Sequence, residues 1–337
     1  MNQLIESVQE IPNVAIRGLS VAIPKRIVEV PKSEKRFKII TGIERRRICP
    51  PDMFTTDLAS AAISSLLEST GWDPKSIGTI IVITQTPEVA VPSIACILHG
   101  KFNLPRECMA FDINLGCSGY TYGLSIVGKF LSEKNQRALL IVGETTGKIK
   151  EFTYAPMFGD AVSATALEYS NGNKFLSELM TDGTKWGTIT ERSLFGNPDV
   201  EIDVIDGKPK LNTHYTLKGE DIYSFSIREA IPSVERVLKV SGTSLNDIDS
   251  IIFHQANKII NDTLKKRLGL RDEQAPSSLR DFGNTSSCTI PLTMCLRLGD
   301  RLKNENLKLI LCGFGVGLSW GTLYIELGPI CSSLIEI

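Results

Sequence analysis

Histidine is scarce in this sequence, and the cysteines lack the spacing that marks a metal site. The chain has 337 residues with 3 histidines, and its 8 cysteines form no CxxC pair and no Cys/His cluster at zinc spacing. We therefore expect no metal site, and reduced thiols rather than a disulfide framework. The small number of histidines also shortens the search for a catalytic imidazole.

Strong net charge and long apolar runs are absent as well. The net charge is -1 at pH 7, so no overall field favours nucleic acid as a partner. No apolar run reaches the roughly 20 residues that a membrane span needs. Residues 1–10 lack the apolar core of a signal peptide. We predict a soluble, cytoplasmic protein with no membrane span.

What the chain does contain is an alternation of apolar runs and helical spacing. The pattern predicts strands at 14–22, 79–84, 109–115, 138–142, 250–254, 307–312 and 321–327. It predicts helices at 56–69, 92–101, 118–131, 218–240 and 256–268, and a loop that leads into a helix over 283–298. The polar segment 183–215 is typical of loops or a hairpin. Alternating strands and helices indicate an α/β protein with a mainly parallel sheet that is covered on both faces.

The chain is organised around residues 112–120, where a predicted buried central strand meets the helix 118–131. That helix is apolar or small nearly all round, which predicts burial on every side and close packing at its glycines. Cys117 lies at the turn, where the helix N-terminus favours negative charge. We therefore predict a thiol of lowered pKa that acts as a nucleophile. The alternative is a small buried hydrophobic residue without chemistry.

Three further features are ordinary when each is taken alone. His254 ends a predicted buried strand, where α/β proteins collect site residues, but a histidine satisfied in the core fits equally. Asn284 by itself is typical of a turn. The segment 313–317 is a turn between strands, or a source of backbone N–H groups for an oxyanion.

Taken together, several short motifs resemble one family of enzymes. They are Gly42-Ile43 with Arg45 and Arg46, Gly116-Cys117-Ser118-Gly119, Phe158-Gly159-Asp160, His254-Gln255-Ala256-Asn257, Gly283-Asn284-Thr285-Ser286, and Gly313-Phe314-Gly315 with Trp320-Gly321. Their order and separations resemble the β-ketoacyl-acyl carrier protein synthase III group of condensing enzymes, in the thiolase superfamily, over nearly the whole chain. The resemblance implies a thiolase-like α-β-α-β-α fold of two similar halves, and a homodimer. Residues 1–175 would carry the nucleophilic cysteine, and residues 176–337 the histidine and asparagine.

The same resemblance implies a decarboxylative Claisen condensation. Cys117 would take an acyl group from an acyl-CoA or an acyl carrier protein. His254 and Asn284 would hold the carbonyl of a malonyl-type thioester while it loses CO₂, because an imidazole N–H and an amide can both donate to an enolate oxygen. The backbone N–H groups of Cys117 and Val316 would meet the second oxyanion. No cofactor is implied, and the product would enter lipid or secondary-metabolite biosynthesis.

Some positions depart from the family pattern around the acyl and CoA sites. Phe314 and Val316 would line the pocket, although the family usually has glycine where Val316 stands. Where Val91 stands, the family often has a phenylalanine that reaches into the acyl pocket of the other subunit, so the smaller side chain would leave more room there. Arg36 and Phe152 would lie at the adenine end of CoA, without the tryptophan and arginines that the family uses there. These departures predict a donor longer than acetyl, delivered by CoA or a carrier protein.

The helix 256–268 has one apolar face and one basic face. Lys258, Lys265 and Lys266 lie on the basic face, which would suit an acidic acyl carrier protein. The alternative is a solvated helix face.

Other activities remain open for this family. The enzyme could pass the acyl group to an amine, a hydroxyl or another carbon nucleophile. The chain could also be a non-catalytic partner subunit of a condensing heterodimer. Such partners typically lose the nucleophile, so the presence of Cys117 speaks against this alternative.

Overall fold

Strands and helices alternate along the chain, close to the predicted bounds. The structure is a computed structural model that describes residues 7–148, 155–191, 202–205, 208–211 and 215–337. Its strands are β1 (Gln9–Ile23), β2 (Ile27–Glu29), β3 (Arg45–Arg47), β4 (Thr79–Ile83), β5 (Met109–Ile113), β6 (Arg137–Glu144), β7 (Ala161–Thr181), β8 (Ile189–Glu191), β9 (Ile202–Ile205), β10 (Lys208–Leu211), β11 (Tyr215–Leu217), β12 (Ser250–Phe253), β13 (Leu307–Gly315), β14 (Ser319–Leu327) and β15 (Cys331–Glu336). Its helices are α1 (Lys35–Thr41), α2 (Thr55–Thr70), α3 (Ile94–Lys101), α4 (Gly119–Phe130), α5 (Gly219–Ser241), α6 (Lys258–Leu268), α7 (Leu279–Phe282) and α8 (Thr289–Asn304). None of these helices is long and apolar enough to cross a membrane.

The central sheet is mixed. Its 9 strands run in the order β12-β13-β14-β7-β6-β4-β5, with β1 beside β7 and β15 beside β1. The pairs β4–β5, β4–β6, β12–β13 and β1–β15 are parallel. The pairs β1–β7, β6–β7, β7–β14 and β13–β14 are antiparallel. The prediction of a mainly parallel sheet is therefore wrong. Strands such as β13 and β14 are joined by a tight turn, which antiparallel pairing permits and parallel pairing does not.

Alternate residues of the strands face different helices, which produces the layers. Ile80 of β4 packs with α2 and α3, whereas its neighbour Ile81 packs with α4 and α8. In β13, Leu309 faces α4 and α8, whereas Ile310 faces α5 and α6. Because side chains alternate across a strand, the result is an α-β-α-β-α arrangement with α4 and α8 in the middle layer.

The long strand β7 connects the two sides of this arrangement. Its first part pairs with β6, and its second part, from Phe175 onward, pairs with β14. The predicted division between residues 175 and 176 lies inside this strand. The division of the chain into two similar halves remains a prediction. The hydrogen bonds of the sheet continue across the predicted boundary between them.

The strand that leads to Cys117 differs from its prediction. The sequence predicts a buried central strand, but β5 is the last strand in the order, and its residues are partly exposed. Among the described residues it pairs only with β4, so one of its edges has no neighbouring strand. In the polar segment, β9 pairs with β10 and β8 with β11, which confirms a hairpin there.

Candidate active site

Cys117 lies on a tight turn between β5 and α4. The Gly119 N–H donates to the Gly116 carbonyl oxygen over 2.7 Å, which closes the turn. The glycines of α4 are there for close packing, as predicted. A Cβ on Gly123 would lie 2.7 Å from Cδ1 of Leu140, a distance that real Cβ atoms do not tolerate. The middle-layer helix can therefore pack directly against the sheet behind Cys117.

The segment 313–317 is largely strand rather than flexible turn. Gly315 pairs with Ser319 across β13 and β14. A Cβ on Gly315 would lie 2.5 Å from Cβ of Cys117 and 3.0 Å from its Sγ, so only glycine fits beside the thiol. The Ser319 hydroxyl donates to the Val316 carbonyl oxygen over 2.7 Å and lies 2.6 Å from the Ser118 hydroxyl. These hydroxyls connect the Cys117 turn to the Val316 segment.

His254 follows β12 and is 2% exposed. Its backbone N–H donates to the Cys312 carbonyl oxygen over 2.8 Å, and its ring contacts Phe314 edge to face at 5.6 Å between centroids. Burial, only partly offset by the Ser286 backbone, lowers the pKa of His254 to about 3. The imidazole is therefore neutral at pH 7.

Thr289 is a residue that sequence reasoning missed. Its Oγ1 lies 2.7 Å from Nδ1 of His254 and 3.0 Å from the Ser286 carbonyl oxygen. This hydroxyl donates to the Ser286 carbonyl oxygen, so Nδ1 of the neutral ring carries the proton and donates to Oγ1. A donor role for Nε2 requires the Thr289 hydroxyl to turn from that carbonyl oxygen to Nδ1, which moves the ring proton to Nε2. The only signal in the sequence is a threonine at the start of a helix shortly after Asn284.

Asn284 is oriented by its own loop. Its backbone N–H donates to the Met157 carbonyl oxygen over 2.9 Å. Its side-chain Oδ1 accepts the Ser286 N–H over 2.8 Å. Because the oxygen is used in this way, the side-chain NH₂ group is left to donate elsewhere. Asn284 is 6% exposed, so that group is kept from bulk solvent.

The predicted site residues meet in one cavity of about 110 Å³. Cys117, His254, Asn284, Phe314 and Val316 all line it. Other lining residues were not singled out from the sequence: Gln85, Thr86, Thr146, Met157, Ile189, Glu191 and Leu217. Nothing in the local sequence around most of these residues marks them, because they come from loops that only the sheet brings together.

The remaining predicted residues lie away from this cavity. Val91 is 82% exposed and does not line it. Arg36 is exposed on α1, and Phe152 lies outside the described residues. A second cavity, of about 550 Å³, lies between α1 and α6, and Lys258 and Lys265 line it.

The basic face of α6 is partly neutralised by acidic neighbours. Lys258 forms an ion pair with Asp262, and Lys265 forms one with Asp272 at 2.6 Å. Lys266 is exposed and has no ion pair among the residues that the structure describes. Ile260 and Leu264 are buried on the opposite face, as the sequence predicts.

The predicted electrostatics of the thiol are wrong. Burial is the largest influence and raises the pKa of Cys117 to about 11, although the Ser286 side chain and the Val316 backbone act in the opposite direction. The buried carboxyl group of Glu144 raises it further. Loss of hydration outweighs the helix N-terminus, so Cys117 is a protonated thiol at pH 7 in the empty site. Within the described ranges, no three His, Cys, Asp or Glu side chains are grouped as a metal site would require.

Comparisons with known proteins agree with this geometry. The family model "3-Oxoacyl-[acyl-carrier-protein (ACP)] synthase III" matches residues 111–183, and the model of its C-terminal part matches residues 238–327. The putative 3-oxoacyl-[acyl-carrier-protein] synthase 3 of Campylobacter jejuni is 30% identical over 332 residues, which cover 92% of this chain and 93% of that protein. This chain belongs to the 3-oxoacyl-[acyl-carrier-protein] synthase III family.

Other members of the synthase III family are similar over most of their length. The β-ketoacyl-[acyl-carrier-protein] synthase III of Streptococcus sanguinis is 32% identical over 295 residues, covering 85% of this chain and 89% of that protein. The crystal structure of a 3-oxoacyl-(acyl-carrier protein) synthase from Burkholderia xenovorans superposes with a TM-score of 0.90 at 31% identity, covering 98% of this chain and 99% of that one. The thiolase-like fold is thereby confirmed. The chain is a synthase III-like condensing enzyme, a transferase whose reaction is a decarboxylative Claisen condensation.

Proposed function

We propose that Cys117 carries the acyl group and that His254 and Asn284 act on the malonyl-type thioester. The observation that supports these roles is their meeting in one cavity, although they come from three distant parts of the chain. A thiol, a neutral imidazole and a correctly oriented amide are the groups that this condensation needs, and none of its steps calls for a cofactor.

In the proposed first step, Cys117 attacks the carbonyl carbon of an acyl thioester. The thiol loses its proton, the new C–S bond forms, and the thiol of CoA or of the carrier protein leaves. The backbone N–H groups of Cys117 and Val316 stabilise the oxyanion. Supporting this role, the Val316 backbone acts to lower the pKa of Cys117, as a donor near the sulfur does.

In the proposed second step, the malonyl thioester loses CO₂. Its carbonyl oxygen accepts hydrogen bonds from Nε2–H of His254 and from the Asn284 amide, which stabilise the enolate. The enolate carbon then attacks the Cys117 thioester, a C–C bond forms, and the Cys117 thiolate leaves. An amine or hydroxyl acceptor would form no enolate, so this pair of donors would have no enolate oxygen to stabilise. A non-catalytic subunit would not need Cys117 in the cavity.

The proposed acyl donor is longer than acetyl, because in a dimer Val91 would reach into the acyl pocket of the other subunit and would leave more room there than the phenylalanine of the family pattern. Intact-mass spectrometry of the enzyme after incubation with acetyl-CoA, with longer acyl-CoAs and with the matching acyl carrier proteins tests this proposal. We expect at least about tenfold faster labelling of Cys117 by a longer donor than by acetyl-CoA, as one to two well-fitted methylene groups provide. A preference for acetyl-CoA would contradict it.

We further propose a homodimer in the cytoplasm. One edge of β5 has no neighbouring strand in the described chain, and Met109 on β5 and Val91 nearby are exposed at 39% and 82%. A second copy that covers this edge would also bring its Val91 toward a pocket. The native mass of the protein checks this proposal, and a monomer at micromolar concentration would contradict it.

The exposed basic face of α6 is the proposed docking surface for an acyl carrier protein. Lys265→Glu with Lys266→Glu is expected to raise the KM for acyl carrier protein about tenfold and to reduce its salt dependence, because like charges would then oppose the partner. Labelling of Cys117 by acyl-CoA should change little. The matched control is Lys134→Glu with Lys303→Glu, at exposed positions elsewhere. An equal effect of both double variants would show that α6 is not part of the docking surface.

A further inference from the structure

The cavity around Cys117 has an apolar side and a polar side. The more apolar side comes from the second half of the chain, where Ile189, Leu217, Ile222, Ala256 and Ile260 lie with the polar residues Glu191 and Asn257. The polar side comes from the loops that follow β4 and β6, with Gln85, Thr86 and Thr146. Parallel strands end at the same edge of a sheet, and β5, which leads to Cys117, is parallel to β4. The polar side therefore lies directly beside the nucleophile.

Under the proposed roles, the acyl chain extends toward the polar side. His254 and Asn284 hold the incoming enolate, which approaches the thioester carbon from their side. The rest of the acyl group then points away from them, toward the loops after β4 and β6. Oε1 of Gln85 lies 2.5 Å from the place that a Cβ on Gly116 would occupy. The amide of Gln85 thus covers the residue next to Cys117.

The loop that carries the polar side is held in place by hydrogen bonds to Glu144. The Glu144 carboxylate, 1% exposed, accepts the Thr84 hydroxyl over 3.0 Å, the Gln85 N–H over 2.9 Å and the Thr86 hydroxyl over 2.9 Å. Thr86 Oγ1 also accepts the Thr145 N–H over 2.9 Å. The turn that carries Gln85 is therefore fixed before a substrate arrives, and the Thr86 hydroxyl is already used.

Gln85 and Thr146 keep hydrogen-bonding capacity for a substrate. Nε2 of Gln85 donates to Oδ1 of Asn114 over 3.2 Å, while Oε1 has no hydrogen-bond partner in the described part of the chain. The Thr146 hydroxyl likewise has none there. Gln85 is exposed and Thr146 is half-buried. A purely alkyl acyl chain that covered these groups would displace their water without replacing its hydrogen bonds, which disfavours such a chain.

Resting on the proposed function, we propose that the acyl group taken by Cys117 carries a hydroxyl group, as in a short 3-hydroxyacyl thioester, which hydrogen-bonds to Gln85 and Thr146. The volume of about 110 Å³, which the acyl group shares with the malonyl thioester carbonyl, sets an upper limit on the length. A cavity of about 150 Å³ accommodates the six carbons of benzene, so at most about four carbons fit here. A 3-hydroxybutanoyl group has that length and places its hydroxyl within a few bonds of the sulfur.

The test compares labelling of Cys117 by 3-hydroxybutanoyl-CoA and by butanoyl-CoA, followed by intact-mass spectrometry over time. We expect the hydroxylated donor to react at least about tenfold faster, because a site that pairs with a substrate hydroxyl rejects the analogue that lacks it. Gln85→Leu and Thr146→Val should each bring the two rates closer together. Thr146→Ser keeps the hydroxyl and should keep the preference. Gln136→Leu, remote from the cavity, is the matched control for the Gln85 variant.

Equal rates for the two donors in the wild-type enzyme would overturn this inference alone. A preference for the hydroxylated donor that persists in Gln85→Leu and in Thr146→Val would also overturn it. Failure of both donors to label Cys117 would overturn the proposed function and this inference with it.

Discussion

Cys117→Ser is expected to abolish the acyl adduct and to reduce condensation by about 10⁴-fold or more, as loss of a catalytic nucleophile does in other enzymes. The serine hydroxyl is a much weaker nucleophile, and the neutral imidazole of His254 is too weak a base to activate it, since burial lowers its pKa to about 3. Peptide mapping after incubation with an acyl donor measures the adduct directly.

The matched control is Cys96→Ser, because Cys96 is the exposed cysteine among those that the structure describes. It should keep both the adduct and the turnover of the wild type. An acyl group found on Cys96 or Cys288 in the wild-type enzyme would show that the Cys117 turn is not the site of acylation.

Asn284→Ala is expected to leave acylation of Cys117 intact and to slow release of CO₂ from the malonyl thioester by about 10²–10³-fold, the usual cost of removing one donor to an oxyanion. Because Oδ1 accepts the Ser286 N–H over 2.8 Å, alanine also removes a bond that shapes the loop. Asn284→Asp keeps that acceptor but presents no donor to the enolate, and it should show the same loss. Single-turnover acylation and CO₂ release measure the two half-reactions separately.

The control for this separation is Asn246→Ala, at an exposed position remote from the cavity. It should leave both half-reactions unchanged. If Asn284→Asp with its fold intact slowed acylation as much as decarboxylation, Asn284 would not act specifically on the malonyl thioester.

Local patterns were sufficient for most of the secondary structure. The continuous apolar run Thr79–Ile83 forms β4. The helical spacing of Leu58, Ala62 and Leu66 became the buried face of α2, which ends at Gly71 in the left-handed conformation. The position of β5 could not be predicted in this way. A short apolar strand looks alike at the edge and in the centre of a sheet, because its neighbours come from distant parts of the chain.

The sequence by itself determined the family and the order of the elements, and it predicted the roles of Cys117, His254 and Asn284, because short motifs and periodicity are local properties. Only the tertiary structure decided the strand directions, the neutral state of His254 and the high pKa of Cys117. It also decided the polar side of the cavity, where Gln85 and Thr146 lie with Cys117. Burial and hydrogen bonds between residues remote in sequence control these properties, and such contacts exist only once the chain is folded.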